Sequence, residues 1–240
     1  RYLLESQERL DAQAIANPAR LQEFQREFQT ILLNVEAGEL ALLKKYNHSI
    51  VAAWMVASKM EGVDEAKLTE RYEVLGEEAQ ATFYGKRIVD ELNKMQKIAV
   101  GAVAPDFSAP LADGGVLALH ETRAKVKIVN FWASWSKPCR DENVNLLRLY
   151  KRYRPKGLEI ISVSLDDNKS VWLTAIGEDG SDWKNVSDMR GPNSVIVVNY
   201  RVKTLPCTFI LDDENRIVAK NLRGKELEKK IDEMLKKKNK

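Results

Sequence analysis

Apolar residues recur three and four positions apart through the first hundred residues, as in Leu21, Phe24, Phe28, Ile31 and Leu32. That spacing puts them on one side of a helix. The reading is all-helical from Tyr2 to about Lys97. Caps or turn residues at Asn17-Pro18, Asn47-His48-Ser49, Glu61-Gly62 and Gly85 divide this half into about five helices. Tyr46, Trp54, Met55 and Tyr72 lie on their stripes and are expected to form helix-to-helix core rather than a ligand groove.

After Ala99 the period changes. Short β-branched runs appear, separated by Gly, Pro, Asn and Asp, with helical segments between them. A hairpin signal at Asp113-Gly114-Gly115 precedes a strand at Val126 to Trp132, a helix from about Pro138 to Tyr153 and a strand at Leu158 to Ser164, which together make a βαβ unit. Helices follow around Val171, leading to Asp182-Trp183, and near Ser194 to Tyr200. Cys207 to Leu211 and Ile217 to Lys220 read as a hairpin, and Lys225 to Leu235 as a closing helix. The chain therefore divides into a helical domain, 1–98, and an α/β domain, 99–240, with a mixed sheet flanked by helices.

Composition narrows the function little. An apolar fraction of 44% in 240 residues is ample for a buried core. No run approaches the about 18 apolar residues that span a bilayer, and the most apolar stretch, Ile50 to Val56, is far shorter. No transmembrane segment is expected. The net charge of +3 comes largely from the tail Lys236-Lys237-Lys238-Asn239-Lys240, and so small an excess points to no nucleic-acid partner. The chain starts at Arg1 already looking helical, which is compatible with an upstream signal, anchor or domain.

The chemistry sits in Phe131-Trp132-Ala133-Ser134-Trp135-Ser136-Lys137-Pro138-Cys139-Arg140, between a buried-looking strand and a helix. A cysteine at a helix N-terminus faces unpaired N–H groups and the positive end of the dipole, so its thiolate is stabilised. A second cysteine three residues on lies one turn deeper and can resolve a mixed disulfide from within. Here the first of these positions holds Ser136 and the second Cys139. A serine hydroxyl stays protonated without a base and cannot enter a disulfide. Neither His48 nor His120 is placed by motif to make Ser136 a hydrolase nucleophile.

This loop resembles the FWASWCxPCR loop of TlpA- and ResA-like thioredoxin-family proteins of the AhpC/TSA type. Gly101-x-x-Ala104-Pro105-Asp106-Phe107, Val163-Ser164-Leu165-Asp166, Leu205-Pro206-Cys207-Thr208-Phe209 and Arg223-Gly224-Lys225-Glu226-Leu227 fall where the family has counterparts. The resemblance covers Ala99 to Leu235. The helical half is similar to the segment preceding the thioredoxin domain in exported TlpA-like proteins of Bacteroidetes.

The resemblance implies a thioredoxin-like fold and a thiol–disulfide oxidoreductase of the periplasm or cell envelope. It implies protein thiols, disulfides or extended peptides as partners, and no cofactor or metal. It puts Ser136 at the nucleophile's position and Cys139 at the resolving cysteine's. Trp135, Lys137, Pro138, Leu205 and Pro206 would touch substrate, with a cis bond expected before Pro206. Cys207, where the family commonly has threonine, is a second thiol, and a Cys139–Cys207 bond and two separate thiols both stay open. Glu142 matches an acid that often follows the loop, whereas Asn143-Val144 replaces a usual Met-Pro. Ser136 reads either as native to a drifted member or as an introduced replacement. The functional alternatives are a redox-inactive peptide-binding module and, more weakly, a peroxiredoxin-like peroxidase.

Overall fold

The computed structural model describes residues 18–237. The helix expected from Tyr2 to Asn17 and the tail residues 238–240 lie outside the described residues. Two compact units divide between Leu92 and Asn93.

The first unit contains α1 (Pro18–Lys45), α2 (Ile50–Ser58), α3 (Glu65–Glu73), α4 (Glu77–Gln80) and most of α5 (Phe83–Gln96). Side chains cap where the sequence has capping residues: Ser49 accepts from Val51 N at 3.1 Å and Asp64 from Lys67 N at 2.8 Å. The core is built from small residues of α2, namely Ala52, Ala53, Val56 and Ala57, with Leu68, Leu75 and Ile88. Their size lets α2 approach α3 and α4 closely. Tyr46 and Trp54, read as core from their stripe, are instead about half exposed, because Trp54 lies on the side of α2 opposite the alanines. Gly85, read as a break, lies inside α5. A side chain there would meet the Gln80 carbonyl oxygen at 2.2 Å, so the glycine serves a close approach and not a turn. The break falls at Thr82, whose hydroxyl oxygen accepts from Gly85 N at 3.2 Å.

The second unit opens with the antiparallel hairpin β1 (Ser108–Pro110) and β2 (Val116–Ala118). There follow β3 (Val126–Trp132), α6 (Lys137–Tyr153), β4 (Leu158–Ser164), α7 (Lys169–Asp179), β5 (Lys184–Val186), α8 (Val195–Asn199), β6 (Cys207–Asp212), β7 (Ile217–Lys220) and α9 (Gly224–Lys237). The five-stranded sheet has the order β5-β4-β3-β6-β7. β3 is central, parallel to β4 and antiparallel to β6, and every residue of it is buried, Lys127 and Asn130 included. β5 was not legible: it is three residues long, and Lys184 and Asn185 have low strand propensity.

Side-chain alternation gives the two faces of this sheet different characters. Val126 and Ile128 of β3 pack with Leu146, Leu149 and Tyr153 of α6 and Leu227 and Ile231 of α9. Farther along the same face, Trp132 meets Cys139, Trp172 and Ala175. Between them a buried polar row crosses the strands, from Thr208 through Asn130 and Ser162 to Asn185. On the opposite face Val129, Phe131, Ile161, Val163 and Phe209 pack against Ile196, Val197 and Tyr200. Tyr200 packs tilted against Phe131 and edge to face against Phe209, at 5.1 and 5.0 Å between centroids, and its hydroxyl donates to Pro105 O at 2.7 Å.

Candidate active site

β3 ends at Trp132 and the chain turns through Ala133 to Trp135 into α6. Ser136 is the N-cap of that helix, with its carbonyl accepting from Cys139 N at 3.0 Å and Arg140 N at 3.1 Å. Its hydroxyl makes no capping bond to the helix backbone. The loop alternates exposure. Trp135 is 68% exposed, and Lys137 and Pro138 are open to solvent, whereas Ser136 and Cys139 are buried at 8% and 1%. Cys139 thus lies one turn in, beneath the serine. Lys137 is held by Asp141 at 2.9 Å along the helix surface.

The bond between Leu205 and Pro206 is cis. Leu205, half-buried, packs against the cluster of Trp132, Cys139 and Trp172, so the proline turn and the loop meet over that cluster. Leu205, Pro206, Ser136 and Cys139 are therefore brought together. Cys207 is not part of that grouping. It pairs with Phe131 across the β3–β6 ladder, so its side chain projects to the aromatic face, while Cys139 lies under α6 on the other. Both thiols are free.

Burial raises the pKa of both thiols. At Cys139 the Ser136 hydroxyl, a backbone hydrogen bond with Ala133 and the Arg223 charge oppose the rise, and Asp166 adds to it. Cys207 is pushed up to about 11 by burial, against Arg223 and Lys220. Neither sulfur is an activated thiolate at neutral pH.

The loop is anchored by a residue that the motif reading noted without assigning a role. Asp166, buried after β4, accepts from Ser134 N at 3.0 Å, from Ser134 Oγ at 2.5 Å and from Ser164 Oγ at 2.6 Å. An acid at the end of the strand next to the loop-bearing strand was the signal available. The start of α6 is tied to α7 as well: Arg140 Nε donates to Asp179 at 2.7 Å, and Asn143 Nδ2 donates to the same carboxylate at 2.7 Å. Glu142 is buried and accepts from Asn145 Nδ2 at 3.1 Å. His120 is engaged elsewhere, with Nε2 2.8 Å from Ala104 O. Among the described residues no cluster of three or more His, Cys, Asp or Glu is arranged to hold a metal ion.

A mixed sheet whose central strand delivers a helix-capping loop beside a cis-proline turn defines a thioredoxin-like domain. Residues 100–220 match the AhpC/TSA family, and the chain belongs to it. It is similar to the C-terminal domain of a putative thiol-disulfide oxidoreductase from Bacteroides thetaiotaomicron, 36% identical with a TM-score of 0.56, over 59% of this chain and 99% of that one. The thiol-disulfide oxidoreductase ResA of Bacillus cereus is 28% identical over 145 residues, covering 60% of this chain and 82% of its own. The thiol:disulfide interchange protein HelX of Rhodobacter capsulatus is 34% identical over 139 residues, covering 57% and 70%. No helix among the described residues is long and apolar enough to cross a membrane.

Proposed function

We propose that this chain carries the thioredoxin-like domain of a thiol–disulfide oxidoreductase of the cell envelope, acting on protein thiols and disulfides, and that Ser136 stops its two-thiol cycle. In that cycle a thiolate at position 136 attacks a substrate disulfide, forms a mixed disulfide and expels one substrate thiolate. The Cys139 thiolate then attacks the position-136 sulfur and the second substrate thiolate leaves, so the substrate disulfide has been reduced by two electrons and the 136–139 thiol pair oxidised to a disulfide. With oxygen at 136 neither bond forms. The observation that carries the reading is the placement of Cys139, buried one helical turn beneath Ser136 and beside the Leu205–Pro206 turn. The test is insulin reduction with dithiothreitol. The chain should match background, Ser136→Cys should turn over, and Ser136→Cys with Cys139→Ser should stop at trapped mixed disulfides.

A second reading rests on Trp135, an indole 68% exposed next to a serine that cannot react. On it the domain grips an extended peptide beside Pro206 without redox chemistry. Calorimetric titration with unstructured peptides separates the two: binding by the unaltered chain that is lost in Trp135→Ala, with no turnover by Ser136→Cys, favours the module.

A further inference from the structure

The β6–β7 ladder stops at the Phe209–Lys220 pair, three residues short of Pro206. Side chains take over from there. Asn221, held at a positive φ of 55°, accepts from Thr208 N through Oδ1 at 3.0 Å and donates its own N–H to Thr208 O at 2.8 Å. Two residues on, Arg223 Nη2 donates to Pro206 O at 2.5 Å. The edge of β6 is thus closed up to the proline turn by residues that belong to no strand.

We propose that Arg223 is a positioning residue of the exchange site, whose guanidinium fixes the Pro206 carbonyl and so sets the cis-proline turn against the Ser136–Cys139 loop. This rests on the thiol–disulfide reading above. A charged donor to a carbonyl is among the stronger hydrogen bonds, and a planar guanidinium fixes direction as an ammonium does not. The same cation is the one positive group acting on both sulfurs. At Cys139 its effect is opposed by that of the Asp166 carboxylate, and at Cys207 it acts together with Lys220. Arg223 therefore joins two tasks, holding the substrate edge in place and moderating the rise that burial imposes on the thiols.

Two measurements separate this proposal from the function it rests on. The first uses the full chain with Cys207→Ala, leaving Cys139 as its sole thiol, and follows thiolate absorbance against pH. Arg223→Gln should move the Cys139 titration to higher pH, and Arg223→Lys, which keeps the charge and the stem, should leave it near the parent. The second uses Ser136→Cys and insulin reduction. There Arg223→Gln should cut turnover about tenfold and raise KM, and Arg223→Lys should recover the pH profile while KM stays raised, because the directional Nη2 donor to Pro206 O is lost. An unmoved titration in Arg223→Gln, or full turnover by the glutamine variant, overturns the proposal. If Ser136→Cys with Arg223 intact shows no turnover, the exchange reading fails, and the titration still decides whether Arg223 acts on the loop.

Discussion

The two faces of the central sheet are built from the same strands, yet they are packed by different rules. The face under α8 is apolar except for the buried Lys127, whose ammonium donates to Thr122 O at 2.9 Å, and Phe131, Phe209 and Tyr200 pack there among aliphatic residues. The face under α6 is interrupted by Asn130, Ser162, Thr208 and Asn185, and several of its buried atoms, Asn130 Oδ1 and Thr208 Oγ1 among them, have no protein partner. The face that positions the reactive loop holds polar groups at some cost, since a buried polar atom left unpaired destabilises by roughly 1–3 kcal/mol.

From this contrast, the largest effect on stability belongs to the aromatic face. Phe131→Ala should cost about 3–5 kcal/mol, read as a lower urea midpoint, because its two aromatic neighbours, Tyr200 and Phe209, cannot collapse into the space. A loss below about 1 kcal/mol would break the comparison. On the polar face the largest effect is catalytic instead: Ser136→Cys should raise insulin reduction by at least about a hundredfold over the parent while leaving the urea midpoint within about 0.5 kcal/mol, the scale of a mild substitution.

Both halves of that contrast were only partly legible in the sequence. Val126 to Trp132 and Leu158 to Ser164 announce themselves as apolar runs of strand length, and Ser136 and Cys139 stand out by their spacing on a helix start. What the chain could not advertise is pairing at a distance. Asp166 becomes an anchor only because β4 lies beside β3, which brings its carboxylate to Ser134. Arg223 matters only because β7 ends short of the proline turn. The face to which Cys207 points follows from register, which one residue of slip would reverse. Trp54 went wrong for a related reason, since a helix with both alanines and a tryptophan can pack on either side, and Tyr46 lies in the turn after α1 rather than on a helix stripe.

Alkaline pH sharpens the comparison next. Burial raises the pKa of Cys207 to about 11 and of Tyr150 to about 12, and raises that of Tyr200 as well. In the unfolded chain these groups ionise at their ordinary values, so as pH climbs past about 9 the folded state holds more protons and stability falls. Their contribution is intact below the unfolded values and is lost toward the folded ones. Urea midpoints from pH 8 to 11 should decline, with Cys207→Ala declining less steeply, and an identical slope would contradict the burial of that thiol. The smallest effect is expected of Thr208→Val on the polar face. It removes a hydroxyl without a protein partner and keeps the shape, so stability should change by no more than about 1 kcal/mol. A larger loss in the urea midpoint would show that the polar row contributes to stability after all.

The opposite facing of Cys139 and Cys207 has a practical side for spectroscopy. The chain contains two cysteines, one buried under a helix and the other turned into an aromatic core, and both are held as neutral thiols at working pH. A maleimide dye or nitroxide would react first with any sulfur newly installed at an open position such as Lys203. Probe-to-probe distances could then be read between chosen surface points without first stripping the protein of its own cysteines.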